Sequence, residues 1–138
     1  MSNIQELAKF MKLGEQKFPE APTAILNWEE LEGIVDKMGE EVAETSEALL
    51  FHVRGDKPNA ARMIDGAIDT AYVALSLAIK IAGVEGAQRA WDEVSKANLS
   101  KVDGTYGPKV IDENGVVKKP EGFKHPNIYN AVFGKQGK

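Results

Sequence analysis

The stretch 65-DGAIDTAYVALSLAIKIAG-83 decides how this chain folds. From Ala67 to Ala82 it is apolar almost all round, the mark of a helix surrounded by other helices or by a second chain. At about 100° per residue, Asp65, Asp69, Tyr72, Ser76 and Lys80 nevertheless share one narrow arc, a polar stripe on a helix that otherwise reads as buried. An ionised aspartate is almost never buried without a partner charge or a metal. Arg62 and Lys80 lie too far along the helix from Asp69 to be direct neighbours, so a bound cation is the stronger reading. The charges at Asp69 and Lys80 leave less than the roughly 20 apolar residues a membrane span needs, and no such span is expected.

Working outward, Asn59 reads as the N-cap of this third helix and Gly83 as its end, with a fourth helix from about Glu85 to Lys101. Upstream, Ser2 and Gln5 have capping-box spacing and open a helix to about Phe18, with Ile4, Leu7, Ala8 and Met11 on one face. Asn27 and Glu30 offer a second box, opening a long helix to about Arg54 that Gly55 and Pro58 stop. Beyond Gly107, Val110-Ile111 and Val116-Val117 flank Asn114-Gly115, a strong hairpin-turn dipeptide. The rest, with Pro120, Pro126 and several lysines, reads as an extended arm. The expected fold is an all-α bundle of four helices with a short C-terminal β-hairpin and tail. A helical domain over 1–107 would carry the hairpin and basic tail of 108–138 packed on it.

The 138 residues suffice for one domain with a real core. Cysteine is absent, which excludes disulfides, zinc–thiolate sites and thiol nucleophiles, and agrees with a cytoplasmic protein. The polar, amphipathic amino terminus does not read as a signal peptide. Residues 1–100 carry 10 Lys/Arg against 17 Asp/Glu, and residues 101–138 carry 7 against 4. An acidic body argues against a nucleic-acid-binding protein. The basic end suits phosphate binding near an acidic metal site, and equally a solvated lysine-rich tail.

On the second helix, Val35, Met38, Val42, Leu49 and Val53 form an apolar stripe with Glu41 at its edge, Glu44 further round, and Glu40 and Glu47 nearly opposite. Glu40, Glu41 and Glu44 crowd one surface, and like charges at these spacings cost a helix roughly 0.2–0.5 kcal/mol a pair. A hard divalent cation relieves such crowding, but a solvated acidic face is common too. On the fourth helix Asn98 and Lys101 share the face of Ala87, Ala90, Trp91, Val94 and Ala97. Lys101 either snorkels outward and complements the helix dipole or enters a polar cavity to contact phosphate. Trp28 and Trp91 read as core anchors, Tyr72 either as a donor to a ligand carboxylate or as a buried tyrosine needing any partner, His52 as a dipole complement, and His125 as a surface residue.

These segments together, 40-EEVAE-44, 65-DGAIDTAY-72 and 91-WDEVSKANLSK-101, resemble the all-α nucleoside triphosphate pyrophosphatases, the MazG and phosphoribosyl-ATP pyrophosphohydrolase-like group, over roughly 31–107. The resemblance implies a Mg²⁺-dependent enzyme, with Mn²⁺ as a substitute, that cleaves a nucleoside triphosphate to the monophosphate and pyrophosphate. It implies metal ligation by Glu41, Glu44 and Asp69, with Glu40 or Glu41 as the base that activates water. Asn98 and Lys101 match positions that contact the substrate's phosphates. The common second motif, E-x-x-D, would place a glutamate where Gly66 stands here. Asp65, one helical turn before Asp69, takes its part. The group's members are dimers or tetramers, and the all-round apolar third helix independently predicts self-association.

Three rivals remain on sequence. A phosphoribosyl-ATP pyrophosphohydrolase would use the same chemistry. A di-iron bundle needs Glu-x-x-His pairs that neither His52 nor His125 completes. A non-catalytic helical oligomerisation module would bind no Mg²⁺.

Overall fold

Ser2 opens α1 (Asn3–Leu13) with the expected reciprocal capping box, its hydroxyl accepting from Gln5 N–H while the Gln5 side chain accepts from Ser2 N–H. In this computed structural model, which describes residues 1–51 and 55–134, Ile4, Leu7, Ala8 and Met11 are all buried, as their spacing predicts. The helix stops at Leu13, short of Phe18. Gly14 caps it and Glu15 follows in the left-handed region at φ 58°, so the next N–H groups fold back onto Lys12 and Met11 carbonyls.

Asn27 caps α2 (Trp28–Leu50) by accepting from Glu30 N–H. The second half of the expected box is missing because the Glu30 carboxylate pairs with Lys80 instead. The continuation expected to Arg54, with Val53 and His52, lies outside the described residues. α3 (Lys57–Ser100) starts two residues before the predicted cap. Asp56 is its cap, accepting from Asn59 N–H at 3.2 Å, while buried Asn59 donates its side-chain amide to Ala48 O in the last turn of α2. A free C-terminal carbonyl is thereby satisfied by a side chain from the next helix.

Gly83 interrupts α3 with φ 71° and ψ 179°, a non-helical conformation between two helical stretches, as the sequence anticipates. Thr23 N–H takes the Ile81 carbonyl at 3.0 Å, and the 19–23 loop lies so close that a Cβ on Gly83 would meet Pro19 O at 2.7 Å. Only glycine occupies that backbone region without strain. Gly83→Ala is therefore expected to lose roughly 1–3 kcal/mol from the backbone alone, with the steric clash added. A urea-denaturation midpoint equal to wild type would refute this.

The chain's contacts divide it into two compact units, Met1–Val84 and Glu85–Lys138. Within the second, β1 (Val110–Ile111) pairs antiparallel with β2 (Val117–Lys118), Ile111 opposite Val117. The turn is longer than the two-residue type expected. The Asp112 carboxylate closes it by accepting from Val116 and Asn114 N–H, bonds that hold its pKa below the ordinary carboxylate value, the Val116 bond foremost. The tail is not an extended arm throughout, because α4 (Ile128–Phe133) forms behind an Asn127 cap. Arg89 donates to the carbonyls of Ala131 and Val132, Glu93 accepts from Asn127 N–H, and Val132 is buried.

Much of the predicted apolar surface stays open. Trp28 and Trp91 are 72% and 51% exposed and anchor no core in the chain by itself. Val35, Val42 and Leu49 on α2 and Ile64 and Ile68 on α3 are likewise exposed. By length and composition α3 is also apolar enough to cross a bilayer. Central helices of helical oligomers share that property.

Candidate active site

Glu41 lies at the edge of the apolar stripe and turns inward, leaving only 7% of its surface exposed. Lys37, one turn earlier, donates to Glu41 Oε1 at 3.2 Å and to Glu40 Oε2 at 3.4 Å. This double contact, Glu41 first, raises the lysine's pKa above its ordinary value. Glu40 is exposed and is not among the residues lining the pockets described next.

Two pockets flank the acidic residues of α2 and α3. The smaller, about 130 Å³, is lined by Glu44, Arg62, Asp65, Gly66 and Asp69. The larger, about 470 Å³, has Glu41, Lys37 and Asp69 on its polar side. Its apolar wall comes from Leu7, Phe10 and Met11 of α1 with Tyr72 and Val73 of α3. Phe10 and Tyr72 meet edge to face, ring centroids 5.8 Å apart. Asp69 lines both spaces and Glu41 and Glu44 reach one each, so the two acidic helices converge on Asp69.

Asp65 and Asp69 are exposed in the single chain, contrary to their expected burial. The polar stripe is real, but one chain has too few helices to cover α3 on all sides. Tyr72 too is partly exposed and finds an aromatic neighbour in Phe10. Neither cation weighed as a partner for Asp69 pairs with it: Lys80 is engaged with Glu30 and the Lys17 carbonyl, and Arg62 donates to Asn59 Oδ1 at 3.5 Å. Among the described residues no ion pair reaches Glu44, Asp65 or Asp69.

Gly66 explains the departure from the E-x-x-D pattern. It is buried where α3 crosses α2, and a Cβ there would overlap Thr45 Oγ1, with Thr45 Cβ at 3.2 Å. Thr45 is itself fixed by donating to Glu41 O at 2.8 Å. A side chain at position 66 would have to displace Thr45, and Asp65 lines the acid pocket from the adjacent position.

The donors around this pocket are carboxylate oxygens, the chemistry a hard divalent cation prefers. Among the described residues no three Asp, Glu or His side chains already form a closed metal cluster. An open set still fits Mg²⁺, which takes only one or two protein carboxylates and keeps several waters.

Asn98 and Lys101 stand in the second unit and touch each other, Lys101 Nζ donating to Asn98 Oδ1 at 3.0 Å. Lys37 and Arg62 are cations beside the acids that the sequence reading weighed only as charge partners and gave no role at the site. Their signal was sequence spacing, four residues before Glu41 and three before Asp65. The Phe10–Tyr72 wall carried no comparable signal, since its two rings come from different helices.

The sequence profile of the phosphoribosyl-ATP pyrophosphohydrolase family matches residues 4–98, and the chain is a member of that family. A comparison with curated proteins finds no match. Family membership makes the protein a pyrophosphohydrolase acting on nucleotides.

Proposed function

We propose that the protein is a Mg²⁺-dependent nucleoside triphosphate pyrophosphohydrolase, releasing pyrophosphate and the nucleoside monophosphate. The observation that carries this reading is Asp69, an acid without an ion-pair partner among the described residues that lines both the acid pocket and the aromatic cavity. Glu41, Glu44, Asp65 and Asp69 would hold Mg²⁺, with Mn²⁺ a chemically similar substitute. When bound, such an ion neutralises phosphate charge and lowers the pKa of water. The larger cavity suits the nucleoside, its ring against Phe10 and Tyr72 and its phosphates toward Lys37 and Asp69. Glu41 is the better placed proton acceptor, being inside the cavity, whereas Glu40 is exposed and serves through Lys37. Arg62 supplies positive charge at the acid pocket, and Asn98 and Lys101 contact phosphate.

The family's description names phosphoribosyl-ATP, the substrate of the alternative reading, with the same bond cleaved. A panel of natural and modified nucleoside triphosphates plus phosphoribosyl-ATP, assayed for pyrophosphate by phosphate release with added inorganic pyrophosphatase, separates the two. Turnover of triphosphates that EDTA abolishes is the expected result. No pyrophosphate from any substrate would sink the proposal.

The active form is a homo-dimer or tetramer, in the cytoplasm. A groove of about 370 Å³, lined by Val42, Leu49, Met63 and Ala67 among others, opens on the exposed α2–α3 face. Apolar patches of this kind mark association surfaces. Sedimentation velocity is expected to show a dimer or larger species, and Val42→Glu with Leu49→Glu to shift it to monomer. A monomeric wild type at micromolar concentration would overturn this.

A further inference from the structure

The family match ends at residue 98, but the chain that follows builds a contact around Lys101. The Lys101 ammonium lies over the Phe123 ring, 5.2 Å from its centroid, and donates to Asn98 Oδ1. Both partners are neutral. Among the described residues no carboxylate pairs with this lysine, so its charge is held in place without being cancelled. A cation oriented by an amide and a π face, with an N–H direction still open, is preorganised for an anion.

Phe123 is itself held firmly. Its N–H donates to the carbonyl of buried Pro120 at 3.1 Å. Tyr106 and His125 pack edge-on against its ring, at 6.1 and 5.2 Å between centroids. Gly122, at φ 84°, turns the chain beside the Tyr106 ring. Tyr106 and His125, from the segment outside the matched region, thus brace the one ring that meets the lysine side chain.

We propose that Phe123 is a positioning residue that presents the Lys101 ammonium to a phosphate group of the substrate. The proposal rests on the phosphate role assigned to Lys101 above. It makes the post-domain segment part of the working enzyme: without the ring, the four-carbon lysine stem swings freely and the ammonium is oriented only by Asn98.

The test uses the full chain with Phe123→Leu, which keeps apolar bulk but removes the π face, and Phe123→Tyr, which restores it. Phe123→Leu is expected to lower kcat/KM by about three- to tenfold, chiefly through KM, and Phe123→Tyr to return it to wild type. Lys101→Ala is expected to lose on the order of a hundredfold, and adding Phe123→Leu to it should change nothing further. Wild-type kinetics in Phe123→Leu, or an undiminished Phe123→Leu effect on the Lys101→Ala background, would overturn the proposal. Should the wild type turn over no substrate on the panel, the lysine methylene NMR signals under titration with magnesium pyrophosphate decide separately. A Lys101 response in wild type that weakens in Phe123→Leu sustains the positioning role, and a Lys101 signal that pyrophosphate leaves unmoved rejects it.

Discussion

Replacing Asp69 with asparagine is expected to abolish Mg²⁺-dependent pyrophosphate release while leaving the helical circular-dichroism signal unchanged. The side chain is exposed, makes no ion pair among the described residues, and lines both pockets, so its charge supports no ion pair of the described fold. Exposed substitutions of this kind change stability by no more than about 0.5 kcal/mol. Removing one of four like charges from the α2–α3 surface relieves repulsion if it does anything. Catalysis is different, because a lost carboxylate weakens both ion binding and transition-state stabilisation, worth on the order of a hundredfold or more in turnover. Glu44→Ala should behave the same way. Glu47→Gln, an exposed acid on the same helix outside both pockets, should not. Thermal unfolding gives an independent reading: Mg²⁺ should raise the wild-type midpoint by ligand linkage and leave Asp69→Asn unmoved. Full turnover in both Asp69→Asn and Glu44→Ala would remove the acid pocket from the mechanism.

The second large effect is structural. Gly66→Glu, which restores the acid of the common E-x-x-D pattern, is expected to destabilise the protein by about 3 kcal/mol or more. The Cβ alone overlaps Thr45 Oγ1 and crowds Thr45 Cβ, and overpacking of that kind costs roughly 1–3 kcal/mol. A carboxylate extending from a buried position adds a desolvation cost. Gly66→Ala should show the steric part by itself, and Thr45→Ala introduced beside it should recover some of the loss by removing the hydroxyl. Urea denaturation of the three variants measures these differences. Gly66→Glu with wild-type stability and restored metal affinity would mean that α2 and α3 separate more easily than their packing implies.

These two positions also show how the chain keeps two acids on the small pocket with a glycine at 66. With a glycine at 66, α2 and α3 approach closely at Thr45, and the acid moves one residue back to Asp65. Asp65 and Asp69 keep i, i+4 spacing and share a helix face, so both still line the small pocket. The closer packing therefore keeps two aspartates on the pocket, where a glutamate at 66 would force the helices apart.

The sequence by itself determined what depends on neighbours along the chain. The Ser2–Gln5 box, the Asn27 cap, the break at Gly83 and the Asn114-Gly115 turn all formed where local chemistry placed them, because each is a matter of a few adjacent dihedrals and one or two hydrogen bonds. Helical periodicity likewise set Glu41 at the edge of the apolar stripe and the acids of α3 on one arc. Only the tertiary structure decided what those faces meet. It gave Glu30 to Lys80 and Asn59 to the end of α2, opened the aromatic cavity between α1 and α3, and stood Lys101 against Phe123. It also left Trp28, Trp91 and much of the α2–α3 apolar face uncovered, which periodicity had read as core. Hydrophobic patterning states that a surface must leave water, but whether a neighbouring helix or a second copy covers it depends on contacts between residues far apart in the chain or in different chains.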